Sequence, residues 1–277
     1  MLKQRVITAV VIVAALLAAL MYLTGPQLSL VFAVLVSVAA WEWSDLSGVS
    51  SAIGRAVFVG VCVGLMGLVA WQGAIYADTN VALVRELLTA ACVWWAIALL
   101  WVKSYPASAA LWGTVAMRVL MGFLVLVPAW LAVTYLRLLA DGVYLILMLI
   151  ALVAAADIGA YFFGRAFGKS KLAPAVSPGK SWAGFWGGML CSTSLMAALW
   201  YLWPGGMSVA LLPMMVLAAI TVLASVLGDL LESMVKRHRG IKDSGNLLPG
   251  HGGFMDRLDS LTAASPVFTL GMMSVGW

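Results

Sequence analysis

The chain alternates long apolar runs with short polar stretches, and the runs have the length that crosses a bilayer. Nine stand out, over 6–24, 28–43, 56–77, 87–102, 119–136, 143–164, 182–203, 207–228 and 259–277. A hydrocarbon core of about 30 Å needs about 20 mostly apolar residues in helical conformation, so each run predicts one spanning helix. Lys3 and Arg5 precede the first run, as in a secretory signal. That run is long for such a signal, however, and no small-residue cleavage site follows it. It is read as a retained helix. The runs over 28–43 and 87–102 are short, and the last one opens on a charge, Asp259. The expectation is an all-α, polytopic membrane protein of about nine transmembrane helices. About five of them fall in an N-terminal region, 1–140, and the rest in a C-terminal catalytic region, 141–277.

Composition supports lipid as the solvent. Of 277 residues 64% are apolar and 10% charged, and the mean hydropathy is +1.05. A soluble domain carries about 25% charged residues, so this chain cannot cover a water-facing surface of ordinary size. Loop charges test the count of helices independently. With the N-terminus in the cytoplasm, fourteen of the sixteen Lys and Arg residues fall on the inner side, and only Arg85 and Arg137 fall outside. A miscounted span would scramble that bias. The same topology puts two charge-rich loops, 164–181 and 229–258, in the cytoplasm. The net charge of +5 has no soluble basic face to occupy. It points to anionic headgroups or substrates rather than nucleic acid. Cys62, Cys92 and Cys191 are scattered in apolar runs and match no disulfide or zinc pattern.

Chemistry concentrates toward the C-terminus. Asp229, Glu232, Ser233, Lys236 and Arg237 have helical offsets that place them on one stripe. Asp229 follows a run without charge since Lys180, and an unpaired Asp at mid-bilayer costs about 2.5–3.5 kcal/mol. Next comes Lys242-Asp243-Ser244-Gly245-Asn246-Leu247-Leu248-Pro249-Gly250-His251-Gly252-Gly253. Its glycines and proline exclude a regular helix, and glycine backbone lets N–H groups approach an anion closely. Asp256 and Asp259 follow at the expected start of another helix, with Arg257 between them. Aspartate oxygens suit Mg²⁺, which pairs readily with substrate phosphates. Lys236, Arg237, Lys242 and Arg257 are placed to neutralise such phosphates. His251, among the glycines, is a candidate phosphate or metal contact.

A second cluster lies earlier, with Asp157 inside an apolar run, then Arg165, Lys169, Ser177 and Lys180. Gly164-Arg165-Ala166-Phe167-Gly168-Lys169-Ser170 comes near a P-loop, but its glycines are one residue too close and no strand precedes them. Two other readings fit these residues. A secondary transporter could bind coupling ions at Asp157 and Asp229, although the charges gather at one end and no paired half-repeats appear. The basic loops could also hold anionic lipid in a structural protein.

The motifs are more specific than the composition. Ser233-x-x-Lys236-Arg237, Lys242-Asp243 and Pro249-x-His251-Gly252-Gly253-x-x-Asp256-Arg257-x-Asp259 resemble the signature of the phosphatidate cytidylyltransferases, or CDP-diacylglycerol synthases. Asp157-x-Gly159-Ala160-Tyr161 and Ser177-Pro178-Gly179-Lys180-x-Trp182 are similar to further motifs of that family. Ala183 departs from it, since many members carry Glu or Gln there. The resemblance implies transfer of a cytidylyl group from CTP to phosphatidic acid drawn from the membrane, giving CDP-diacylglycerol and pyrophosphate. It also implies Mg²⁺ bound between Asp229 and Asp256, with a second cation as an option. Asp259, Lys236 and Arg257 would support those ligands. Ser233, Arg237, Lys242, His251, Gly252, Gly253, Lys180 and Ser177 would contact substrate. The implied setting is the bacterial cytoplasmic membrane, with a homodimer among the assemblies it admits.

Overall fold

The structure, a computed structural model, describes residues 2–203, 206–247 and 252–277. Its helices are α1 (Leu2–Tyr22), α2 (Gly25–Leu46), α3 (Ala52–Gln72), α4 (Val81–Lys103), a single turn α5 (Ala109–Trp112), α6 (Val115–Leu138), α7 (Gly142–Phe167), α8 (Trp182–Leu202), α9 (Leu211–His238) and α10 (Met255–Ser274). Seven of these, α2, α3, α4, α6, α7, α8 and α9, are long and apolar enough to cross a membrane. Exposed Val, Leu and Ile side chains cover the outward faces of α3 and α4, as a lipid-facing surface requires. The chain is an all-α, polytopic membrane protein.

The two remaining apolar runs also became helices, α1 and α10, which are less apolar or shorter in the described residues. For α10 the packing gives the reason. It lies against α4, α6 and α9, and its Thr262, Ser265 and Thr269 are buried. A helix enclosed by other helices need not be apolar all round, because its polar groups find protein partners. Thr269, for example, donates to the carbonyl of Ala132 on α6 at 3.3 Å.

One element departs from the helical expectation. Residues Lys171–Ala173 (β1) and Ser177–Ser181 (β2) form a small antiparallel hairpin, with Lys171 opposite Ser181 and Ala173 opposite Ser177. So short a ribbon has no hydrophobic face of its own, and a lone hairpin is marginal in water. It persists here because it rests on α8 and α9. Its last residue also starts α8, since Ser181 Oγ accepts the Gly184 N–H at 3.1 Å as a helix cap.

Close helix packing positions the site. On α8, Gly184 and Gly188 face α7 so tightly that a Cβ would lie 2.8 Å from the Ala160 carbonyl and 2.6 Å from that of Ala156. Small residues permit this approach in membrane bundles. Replacing Gly188 with Leu should therefore separate the two helices and cost about 1–3 kcal/mol, read as a lowered unfolding midpoint in detergent. Elsewhere Trp43 on α2 donates its indole N–H to the Arg118 carbonyl on α6 at 2.9 Å, and Trp130 donates to Ser29 at 3.0 Å. These bonds fix α2 against α6 with buried donors satisfied.

Candidate active site

A cavity of about 370 Å³ opens where α7, α8, α9 and the hairpin converge. Asp157, Tyr161 and Arg165 from α7 line it, with Lys180 and Ser181 from the hairpin and Asp229 from α9. Lys180 donates to Asp229 Oδ2 at 2.7 Å, and Ser233 Oγ donates to Oδ1 at 3.1 Å. The second bond is the i, i+4 contact of a continuing helix, as the stripe on α9 requires. Lys180 is aimed by the residues around it, because β2 carries its backbone and Ser181 is locked as the cap of α8. The lysine and aspartate side chains are 26% and 31% exposed, so both remain accessible from the cavity.

Beside this cavity lies a drier cluster at the meeting of α9 and α10. Lys236 Nζ donates to Asp256 Oδ1 at 2.6 Å and to Glu232 Oε2 at 3.1 Å. Asp256 also accepts the Ser244 N–H at 3.1 Å and the Gly253 N–H at 2.9 Å, both through Oδ2. Charge-assisted bonds of this kind are among the stronger ones, and they hold the carboxylate in one orientation. Asp259 Oδ1 accepts the Ser260 N–H at 2.7 Å, and its carboxyl reaches that of Glu232. Gly228 lets α9 approach the Asp259 carbonyl so closely that a side chain there would clash. Asp229 lies within electrostatic reach of both Asp157 and Asp259. The acids of α7, α9 and α10 therefore form one chain of interacting charges, with Lys180 and Lys236 between them.

The positions read from the sequence divide accordingly. Asp229 and Lys180 meet on the cavity wall, with Ser233 bonded behind them to Asp229, while Lys236, Asp256, Asp259 and Gly253 meet in the adjoining cluster. Gly252 has φ +86°, a conformation that favours glycine, and turns the chain into Asp256. Arg237 points to the hairpin instead, donating through Nε to the Val176 carbonyl at 3.2 Å. Ser177 opens β2 opposite Ala173. Lys242 and Arg257 are exposed, and His251 lies outside the described residues. Three acids join the assembly without having been given a role in it: Glu232, which bonds Lys236, Asp157 and Glu42. Asp157 was visible as a lone charge in an apolar run, and the fold adds its place on the cavity wall. Glu42, from α2, accepts hydrogen bonds from Ser244, Phe254 and Met255. Its only sequence signal is similar, an acid between two tryptophans near the end of an apolar run.

Oxygen acids and lysines around a cavity at one end of a helical bundle suit the binding of phosphates and hard cations. Comparisons with known proteins narrow that chemistry. The model of the Cytidylyltransferase family matches residues 3–275. The phosphatidate cytidylyltransferase of Pseudomonas aeruginosa is 46% identical over 279 residues, covering 100% of this chain and 99% of its own. That of Haemophilus influenzae is 41% identical over 286 residues, with 97% and 98% covered. A Staphylococcus saprophyticus protein of the same name is 40% identical over 136 residues, or 49% of this chain. With the match running almost end to end and two relatives aligned over nearly their whole lengths, the chain belongs to the cytidylyltransferase family.

Proposed function

We infer that this chain is a nucleotidyltransferase that moves a cytidylyl group from CTP to phosphatidic acid, forming CDP-diacylglycerol and pyrophosphate in phospholipid biosynthesis. The observation that carries the reading is the Lys180–Asp229 pair on a cavity wall, in a chain matched over its full length by phosphatidate cytidylyltransferases. In the reaction a phosphate oxygen of phosphatidate forms a bond to the α-phosphorus of CTP. The bond from that phosphorus to the bridging oxygen breaks, and its electrons leave with pyrophosphate. The attacking oxygen is already anionic, so no strong base is required. The difficulty is bringing two anions together, which is a task for fixed positive charge.

Lys180 and Arg165, both on the cavity wall, would bind phosphate oxygens, with Ser233 beside them through its bond to Asp229. Lys236 holds Asp256 against the start of α10. The donor set is oxygen throughout, which fits a hard cation. Among the described residues no three His, Cys, Asp or Glu side chains form a ready-made cage. Mg²⁺ commonly binds through one or two carboxylates and completes its shell with water and phosphate. We assign Asp229 and Asp256 as its protein ligands, with Asp259 in support. When bound, the ion would polarise phosphoryl oxygens and offset charge on the leaving pyrophosphate.

The nine helices of 20 residues or more among the described residues cross the bacterial inner membrane in this reading, with the N-terminus and the site on the cytoplasmic side. The positive-inside bias supports that orientation. It lets CTP arrive from water while the diacyl tails stay in lipid beside α7 and α8. The test is to incubate the purified protein with CTP, phosphatidate and Mg²⁺ in mixed micelles. Pyrophosphate and CDP-diacylglycerol should appear in equal amounts and only with all three present. Formation of neither product would refute the assignment, and a transporter would form neither.

A further inference from the structure

Glu42 lies outside the motifs around Asp229 and Asp256, yet its carboxylate organises the segment that carries Asp256. It sits near the end of α2 and is 3% exposed. Its neighbour Trp43 is bonded to the α6 backbone, so the side chain projects from a fixed base. Oε2 accepts the Met255 N–H at 2.7 Å and the Ser244 hydroxyl at 3.0 Å. Oε1 accepts the Phe254 N–H at 3.0 Å. These partners are 202 to 213 positions further along the chain.

The arrangement answers a specific need at α10. The first N–H groups of any helix lack partners within it, and the N-cap position here is Phe254, whose side chain caps nothing. Glu42 supplies the missing acceptors from another helix, and its negative charge suits the positive end of the helix dipole. The surrounding backbone is shaped to admit the carboxylate. A Cβ at Gly253 would lie 2.8 Å from Oε2, and one at Gly245 would collide with Oε1. Ser244 then links the carboxylate to the site, because its hydroxyl bonds Glu42 while its N–H bonds Asp256 at 3.1 Å.

We propose that Glu42 is a positioning residue for nucleotidyl transfer. It holds Ser244 and the start of α10 in place, and through them orients the carboxylates of Asp256 and Asp259 without touching substrate. The N-terminal helices thus contribute to the chemistry as well as to membrane embedding. The inference rests on the role given to Asp256 above, and its test separates the two.

The test compares wild type with Glu42→Gln, Asp256→Asn and the double variant, purified in detergent. Gln keeps the shape but turns an amide N–H toward a donor and removes the charge. Loss of a partner that orients ligand-bearing groups typically costs about 10- to 100-fold, and Glu42→Gln should lower kcat by that factor. The KM for phosphatidate should stay within about threefold, since binding of the lipid is not what the residue controls. Residues acting through one another are not additive, so the double variant should be no slower than Asp256→Asn alone. Hydrogen exchange over 252–258 should quicken in Glu42→Gln even without substrate. A kcat near wild type, multiplying losses in the double variant, or unchanged exchange would each overturn the proposal. Ser244→Ala, which removes one donor and leaves the carboxylate, should show a smaller loss confined to kcat. Wild-type kcat there also counts against it. If wild type itself made no CDP-diacylglycerol, the proposed function would fail, while the exchange result would still decide whether Glu42 holds α10.

Discussion

Changing Asp229 to Asn is expected to lower kcat by about 10³-fold, because a metal at transferring phosphates supplies several kcal/mol and each 1.36 kcal/mol is a decade in rate. The side chain keeps its size, and Ser233 retains an acceptor. Only the charge that faces Lys180 and the cavity disappears. The carboxylate is 31% exposed, so its ion pair adds no more than about 1 kcal/mol to stability. Thermal unfolding in detergent should accordingly change little while turnover collapses. Activity within tenfold of wild type would remove Asp229 from the role assigned to it, and with it the link between the cavity and the chemistry.

Lys236→Met should fail differently, in stability as well as rate. Lys236 is 11% exposed and bridges Glu232, at 1%, and Asp256, at 10%. Removing the ammonium leaves carboxylates buried without their partner, a change that typically costs 3–5 kcal/mol, or about 4 here. The unfolding midpoint should fall clearly, in contrast to Asp229→Asn. Adding Glu232→Gln to Lys236→Met removes one stranded charge and should recover part of that stability. It should not restore turnover, because Asp256 would still lack the cation that orients it. Recovery of both together would mean that the lysine acts on the fold alone.

Much of this architecture could be read along the chain. Each of the nine apolar runs coincides with a helix of the structure, with ends displaced by up to six residues except in α9, which runs ten residues past the apolar stretch to His238. The stripe from Asp229 to Arg237 lies on one helix, since α9 continues to His238. The bonds Ser233–Asp229 and Lys236–Glu232 join residues four apart, a spacing that helical geometry alone dictates. The hairpin was not legible. Neither of its strands is long enough to show an alternating pattern, and its stability comes from the helices beneath it. Glu42 was not legible either, because nothing near it in sequence bears on what it bonds.

The amino-acid sequence alone determined that most of this chain is apolar enough for lipid, where its helices run, and which charged residues are candidates for phosphate and cation chemistry. Those properties are local. Burial length, helical period and glycine freedom each act over a few residues and leave a pattern in order along the chain. Only the tertiary structure decided which charges from distant segments meet. Lys180 pairs with Asp229, forty-nine positions away, because glycines let α8 close on α7 and the hairpin folds over α9. Glu42 caps α10 because α2 is bound to α6. The energy of those pairings lies in dry contacts between distant segments, and no local period in the sequence records which segments will touch.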